Sequence, residues 1–341
     1  INDIRLKITN ISCYFSRKSN DYTSVLIQGS GTYSIESVLN SCIPKNNNEK
    51  LLIIINGKYG ERLKIIAEKL SINIIILEYL ETEKIKIEDI KLLINENNIK
   101  YLAMVHHETS TGQLNDIEKI GEILKKHNIT FILDSMSAFG AVEIDMYNNN
   151  IDFLISSSNK CLEGVPGFSF VICNKEKLIN CKYSTSLCLD LLDQWNNFEK
   201  TGQFRFTPPT HSLIAFNEAL NEYELEGGII NRKNRYLSNY KILKKGMEDI
   251  GFKSFLKDDL QGYFITSFLY LDDNKFNFDE FYNFLKSNGF IIYPGKTTNI
   301  PSFRIGNIGK IYNKDILNIL KCIKNYINQD YTNLNLNKQK N

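Results

Sequence analysis

The stretch that decides the fold is Thr130-Phe131-Ile132-Leu133-Asp134-Ser135-Met136-Ser137-Ala138-Phe139-Gly140, followed by Phe153-Leu154-Ile155-Ser156-Ser157-Ser158-Asn159-Lys160 and the turn Gly164-Val165-Pro166-Gly167. Short apolar runs bounded by turn residues are the mark of buried parallel strands. Ligands of an open α/β sheet lie just beyond the carboxyl ends of its strands. That rule brings Asp134 and Lys160 to neighbouring strand ends facing one cleft. Taken singly, an acid there is a turn former or helix cap, and a lysine is a solvated charge. Taken together, with Asn159 and the Gly-Val-Pro-Gly turn beside them, they are what pyridoxal 5′-phosphate requires. The lysine amine bonds the aldehyde, and the acid keeps the pyridine nitrogen protonated.

Composition narrows the class. A chain of 341 residues, 43% hydrophobic and 23% charged, is long enough for two domains with a sizeable core. A net charge of +2 gives no basis for nucleic acid or an acidic membrane as partner. No apolar stretch reaches membrane-span length, and no signal peptide is expected. The seven cysteines lack CxxC or His-pair spacing and read as reduced thiols of a cytoplasmic protein. Ile1 stands where a methionine would, so the reading expects an N-terminal piece to be absent or processed away.

Outward from the central stretch, strand and helix alternate. Ile4–Ser16 is a weakly amphipathic helix candidate. Tyr22–Ile27 is a strand entering Gln28-Gly29-Ser30-Gly31-Thr32, after which a helix begins. Strand, glycine turn and helix aim backbone amides at one point and form an anion site, although a plain connection looks the same. Leu51–Asn56 and Asn73–Leu77 are strands, and Tyr59 follows the first of them between glycines. Glu61–Leu70 and Ile87–Ile94 are helices. Tyr101–His106 leads into a hydroxyl-rich loop, His107 to Leu114, and Asp116–His127 is helical. This alternation builds a mainly parallel sheet. The His106–His107 pair lacks partners at ligand spacing, so no metal is expected. Phe168–Cys173 is expected to run antiparallel. Leu187–Phe198 and Leu213–Leu225 read as helices flanking a proline-stiffened segment, Phe204 to His211. From Gly227 the composition changes. A long basic helix to about Ile250 leads into strands at Phe252–Leu256, Tyr263–Leu271, Phe290–Tyr293 and Ser302–Ile305. Helices at Phe278–Ser287 and Lys314–Ile327 complete a smaller α+β domain. The expected division is 1–226, a large α/β domain; 227–330, the small domain; and 331–341, a frayed polar tail.

Several of these pieces stand in the order of one family: Gln28 to Thr32, His107 to Gly112, Asp134 to Gly140, Ser158-Asn159-Lys160-Cys161, Gly164 to Gly167, Phe206-Thr207-Pro208-Pro209-Thr210-His211 and Phe303-Arg304-Ile305-Gly306. The chain resembles the 2-aminoethylphosphonate–pyruvate transaminases, class V aminotransferases of PLP fold type I, over nearly its whole length. The resemblance implies a mainly parallel seven-stranded sheet flanked by helices. It implies that Lys160 bonds the cofactor and shuttles the proton, with Asn159 beside it, and that Asp134 pairs with the ring nitrogen. Ser30, Gly31 and Thr32 would hold the phosphate, Tyr59 and Met136 would lie on opposite ring faces, and Thr109 would meet the ring hydroxyl. Thr207 would reach the phosphate of a neighbouring subunit, which implies a homodimer, and Arg304 would take the anionic end of 2-aminoethylphosphonate or pyruvate. A Thr-Pro-Gly-Pro-type segment before the first helix is missing. The alternatives are an alanine–glyoxylate or serine–pyruvate type enzyme, and a non-catalytic domain of a longer phosphonate-pathway protein.

Overall fold

The computed structural model describes residues 1–12, 19–45, 48–271, 276–297 and 300–338. It divides into two compact units, one of Ile1–Thr109 and Leu114–Lys233, the other of Ser110–Gln113 and Asn234–Asn341.

The first unit is built on strands β1 (Tyr22–Gln28), β2 (Lys50–Ile55), β3 (Ile74–Glu78), β4 (Ile99–Val105), β5 (Thr130–Asp134), β6 (Phe153–Ser157) and β7 (Phe168–Asn174). They form one seven-stranded sheet in the order β1-β7-β6-β5-β4-β2-β3. The five strands from β6 to β3 are parallel, whereas β7 pairs antiparallel with both β6 and β1. The expected direction of Phe168–Cys173 is therefore found. Every residue of β5 and β6 is buried, which explains their unbroken apolar runs. Between strands lie helices α2 (Gly31–Cys42), α3 (Lys58–Lys69), α4 (Ile87–Glu96) and α5 (Glu118–Lys126), preceded by α1 (Asn2–Ser12). The Ile4–Ser16 expectation overlaps α1, and its last residues lie outside the described ones.

Helices α6 (Leu191–Thr201) and α7 (Thr210–Glu226) follow β7. Gly227, with φ of 101°, closes α7, and α8 (Gly228–Ile250) starts at once. The boundary between compact units falls inside α8, after Lys233, because the glycine pair turns one helix into the next instead of linking domains.

The second unit holds β8 (Ile265–Leu269), β9 (Tyr293–Pro294) and β10 (Ser302–Gly306), an antiparallel sheet with β10 central, together with helices α9 (Phe278–Ser287) and α10 (Asn313–Lys338). The expected strand at Phe252–Leu256 is reduced to one bridge, Ser254 to Phe268. The expected Phe290–Tyr293 strand shrinks to Tyr293–Pro294. The last helix passes beyond Ile327 to Lys338, so the segment expected to fray from Tyr331 is helical as far as it is described. The reduced-thiol reading fails at two of the seven cysteines: Cys42, at the end of α2, is disulfide-bonded to Cys181. They stand 139 positions apart, so spacing could not reveal the pair.

Candidate active site at the strand ends of the first unit

The carboxyl ends of β4, β5 and β6 supply the site. Asp134 ends β5 and is 4% exposed. Its Oδ1 accepts the Met136 amide at 3.0 Å. Burial pushes the Asp134 carboxyl up to about 7; the nearby Glu108 adds to the rise, and the Met136 bond and the charges of Arg62 and Lys160 oppose it. Lys160, on the exposed turn after β6, is thus within electrostatic reach of Asp134, as the strand-end rule requires.

The turn after Asp134 is fixed by the two histidines that follow β4. His106 Nδ1 shares a hydrogen bond with Ser135 Oγ at 3.1 Å, and His107 Nδ1 with Ser137 Oγ at 2.9 Å. Ser137 Oγ also donates to the His107 carbonyl at 3.0 Å. Burial lowers His106 to about 4, so its ring is neutral at physiological pH. Among the described residues no cluster of three His, Cys, Asp or Glu is placed to hold a metal.

Glu108, fully buried, was not anticipated. Its Oε2 accepts the amides of Tyr59 at 3.0 Å and Gly60 at 3.2 Å, holding the first turn of α3. Tyr59 is half-buried, with the Arg62 guanidinium 4.7 Å from its ring centroid. The sequence signal for Glu108 was its place in the hydroxyl-rich loop, but only folding brings it to the start of α3.

The glycine turn before α2 joins the same edge. Gly29 has φ of +114°, and its amide donates to the Gly167 carbonyl at 3.0 Å, tying this turn to the Gly-Val-Pro-Gly turn. A Cβ on Gly31 would stand 1.8 Å from Met136 Sδ, so residue 31 must lack a side chain for Met136 to pack there. Ser30 occupies the N-cap position of α2 without a side-chain capping bond, and its carbonyl accepts the Tyr33 amide at 2.9 Å, beside the opening amides of Gly31 and Thr32, for which an α-helix supplies no acceptor of its own. Thr32 and Thr109 are half-buried, and Asn159 and Thr207 are exposed. Arg304 belongs to the second unit, on β10, where Nε donates to the Pro294 carbonyl at 3.1 Å and the guanidinium lies 5.8 Å from the Tyr293 ring centroid. The first unit therefore joins Gly31 with Met136 by packing, and Asp134 with Met136 and Lys160 by a hydrogen bond and by charge. It shows no such link for Thr207.

Residues 14–313 match the family model described as aminotransferase class-V. The chain belongs to this family. Among relatives of class V aminotransferase sequence, the 2-aminoethylphosphonate–pyruvate transaminase of Phocaeicola vulgatus is 47% identical over 91% of this chain and 85% of its own length. The Bacillus cereus (strain ATCC 14579) protein of the same name is 44% identical over 95% of this chain and 88% of its own. A bifunctional phosphonoacetaldehyde hydrolase/aminoethylphosphonate transaminase of Clostridioides difficile is 44% identical over 96% of this chain. The chain spans about half the length of that relative, 51%. In fold, the chain is similar to pyridoxamine-pyruvate aminotransferase from Mesorhizobium loti, with a TM-score of 0.85 at 19% identity over 96% of this chain and 83% of that one. Similarity to aspartate aminotransferase from Thermus thermophilus gives 0.84 at 20% identity, over 96% and 89%.

Fold and family imply pyridoxal 5′-phosphate as the cofactor of this class V aminotransferase. The residues present fit it. A buried carboxyl raised to about 7 gains from a cationic partner, which a protonated ring nitrogen supplies. The side-chain-free Gly31 and the amides opening α2 suit a phosphate. Among the described residues no helix is long and apolar enough to cross a membrane.

Proposed function

We propose that the chain transfers the amino group of 2-aminoethylphosphonate to pyruvate, giving phosphonoacetaldehyde and L-alanine. The observation that carries the reading is 44–47% identity, over more than nine-tenths of the chain, to relatives named for aminoethylphosphonate transamination. The placement of Asp134 and Lys160 at adjacent strand ends supports it from the chemistry.

When bound, pyridoxal phosphate supplies a carbonyl that condenses with amines and an electron sink for the neighbouring carbon. In this reading Lys160 Nζ would be the amine that holds the cofactor. The same Lys160 nitrogen would be the group placed to accept and return a proton during amino transfer, a general acid–base role worth typically ~10²–10⁴-fold. Asp134 would keep a proton on the ring nitrogen, and the hydrogen bonds that His106 and His107 share with Ser135 and Ser137 hold its turn in place. Ser30, Gly31 and Thr32 would hold the cofactor's phosphate, Tyr59, Met136 and Thr109 would contribute to the ring site, and Asn159 would flank the lysine. Arg304 offers a planar fork for a carboxylate or phosphonate. Thr207 completes the phosphate site of a second copy, and the protein works as a homodimer in the cytoplasm.

An amino-donor panel tests the assignment. With pyruvate as acceptor, 2-aminoethylphosphonate is expected to give alanine faster than serine or other amino donors do. Turnover of alanine with glyoxylate, or serine with pyruvate, beside an inert 2-aminoethylphosphonate would overturn it.

A further inference from the structure

The loops carrying Asp134 and Lys160 converge on one buried cluster at the ends of α7 and α8. Its centre is Arg232, whose side chain is only 2% exposed. Arg232 Nε meets Glu226 Oε2 at 2.6 Å, and Nη1 lies 3.6 Å from Glu163 Oε1. Nη1 also donates to the carbonyl of Cys161, the residue next to Lys160. The guanidinium carbon lies over the ring of Tyr223, 4.9 Å from its centroid. Tyr223 Oη donates at 2.9 Å to the carbonyl of Gly140, the last residue of the Asp134 turn. Burial pushes the Tyr223 phenol well up, so it stays a donor. One planar side chain therefore grips the Lys160 loop directly and backs the hydroxyl that grips the Asp134 turn.

The two loops also lock onto each other. Cys161 Sγ donates to the Ser137 carbonyl at 3.2 Å. Gly140 has φ of +93°, and a Cβ there would meet Leu162 Cδ2 at 2.7 Å. Glu163 adopts a φ of 59°, costly for a residue with a side chain, and its amide closes on the Lys160 carbonyl at 2.8 Å. An apolar cluster of similar volume would stabilise a helix junction at least as well as a buried ionic one. What the ionic cluster adds is direction, because the guanidinium fixes where its donors point.

We propose that Arg232 is a positioning residue for amino transfer: with Tyr223 and Cys161 it sets the separation of the Lys160 nitrogen and the Asp134 carboxylate. This rests on the functional reading above, in which those two groups hold one cofactor ring.

The test compares Arg232→Lys, which keeps the charge and loses the fork, and Tyr223→Phe, which removes one hydroxyl, with wild-type holoenzyme. Turnover is expressed per mole of bound pyridoxal phosphate, so that a loss of folded protein alone leaves it unchanged. Arg232→Lys is expected to lower it by roughly 10²-fold, the scale of a 1 Å misplacement, with KM for the amino donor within about twofold of wild type. The pH midpoint of its visible absorbance band is expected to move by about half a unit or more, since the field of Asp134 on the lysine nitrogen changes. Tyr223→Phe is expected to show both effects at several-fold smaller size, and it decides the matter if Arg232→Lys does not fold. Turnover and band midpoint indistinguishable from wild type in the folded variants would overturn the positioning role while leaving the functional reading intact. A wild-type protein without a band that Lys160→Ala removes would overturn the reading itself, and this inference with it.

Discussion

The strand-end edge of the first unit and the core of the second are opposite solutions to burial. The edge encloses Asp134, Glu108, His106, His107, Ser135 and Ser137, each withdrawn from water. The core of the second unit is aromatic: Phe303 is fully buried, with Phe252 and Phe281 at 5.3 Å and Phe268 at 5.9 Å between ring centroids. Burying apolar rings stabilises a fold, whereas burying a carboxyl costs stability unless a partner is supplied. Under the proposed function, the polar edge is kept for chemistry. Substitutions there should affect activity and pH dependence, and substitutions in the aromatic core should affect folding.

The largest expected effect is at the edge. Lys160→Ala should lower amino transfer by about 10⁴-fold or more, the upper range for acid–base catalysis, and abolish the visible band of the holoenzyme. Steady-state turnover and an absorbance spectrum check it, and a variant that kept both would break the contrast at its most important residue. Next comes the core: Phe303→Ala should destabilise the chain by about 3–5 kcal/mol in denaturant titration, and a loss under about 1 kcal/mol would mean the aromatic cluster is not the scaffold described.

Asp134→Asn sharpens the contrast through pH. The folded carboxyl, raised to about 7, binds a proton that the unfolded one has released, so stability falls as pH rises from about 4 to about 7. Without cofactor the Asn variant should therefore be the more stable at pH 8, by up to about 4 kcal/mol, with the advantage vanishing below about pH 4. Comparing the two proteins at each pH cancels the opposite trend from His106, held neutral down to about 4. An advantage independent of pH would contradict the burial argument. The smallest effect is at Arg304. Arg304→Lys should raise KM for the phosphonate roughly tenfold by losing the fork, leaving kcat little changed.

Much of this was legible in the sequence. Unbroken runs such as Phe131–Leu133 and Phe153–Ile155 locate buried parallel strands, and their polar ends locate Asp134 and Lys160, because strand direction alone decides which end meets the cleft. The antiparallel β7 was also anticipated. Residues acting at a distance in the chain were not. Glu108 reads as one polar residue among hydroxyls until α3 presents its amides. Arg232 reads as a surface cation on a basic helix until the fold closes Glu163, Glu226 and Tyr223 around it. Cys42 and Cys181 have no local pattern at all. In the second unit, Phe252–Leu256 has strand-like composition but pairs at one bridge, because packing of its apolar side chains does not require an extended ladder.

The central claim is that Lys160 is the residue that bonds the cofactor across from Asp134. Borohydride reduction of the holoenzyme followed by peptide mapping tests it most directly. The account predicts a phosphopyridoxyl group on Lys160 alone; the same group on another lysine, or on none, would contradict it.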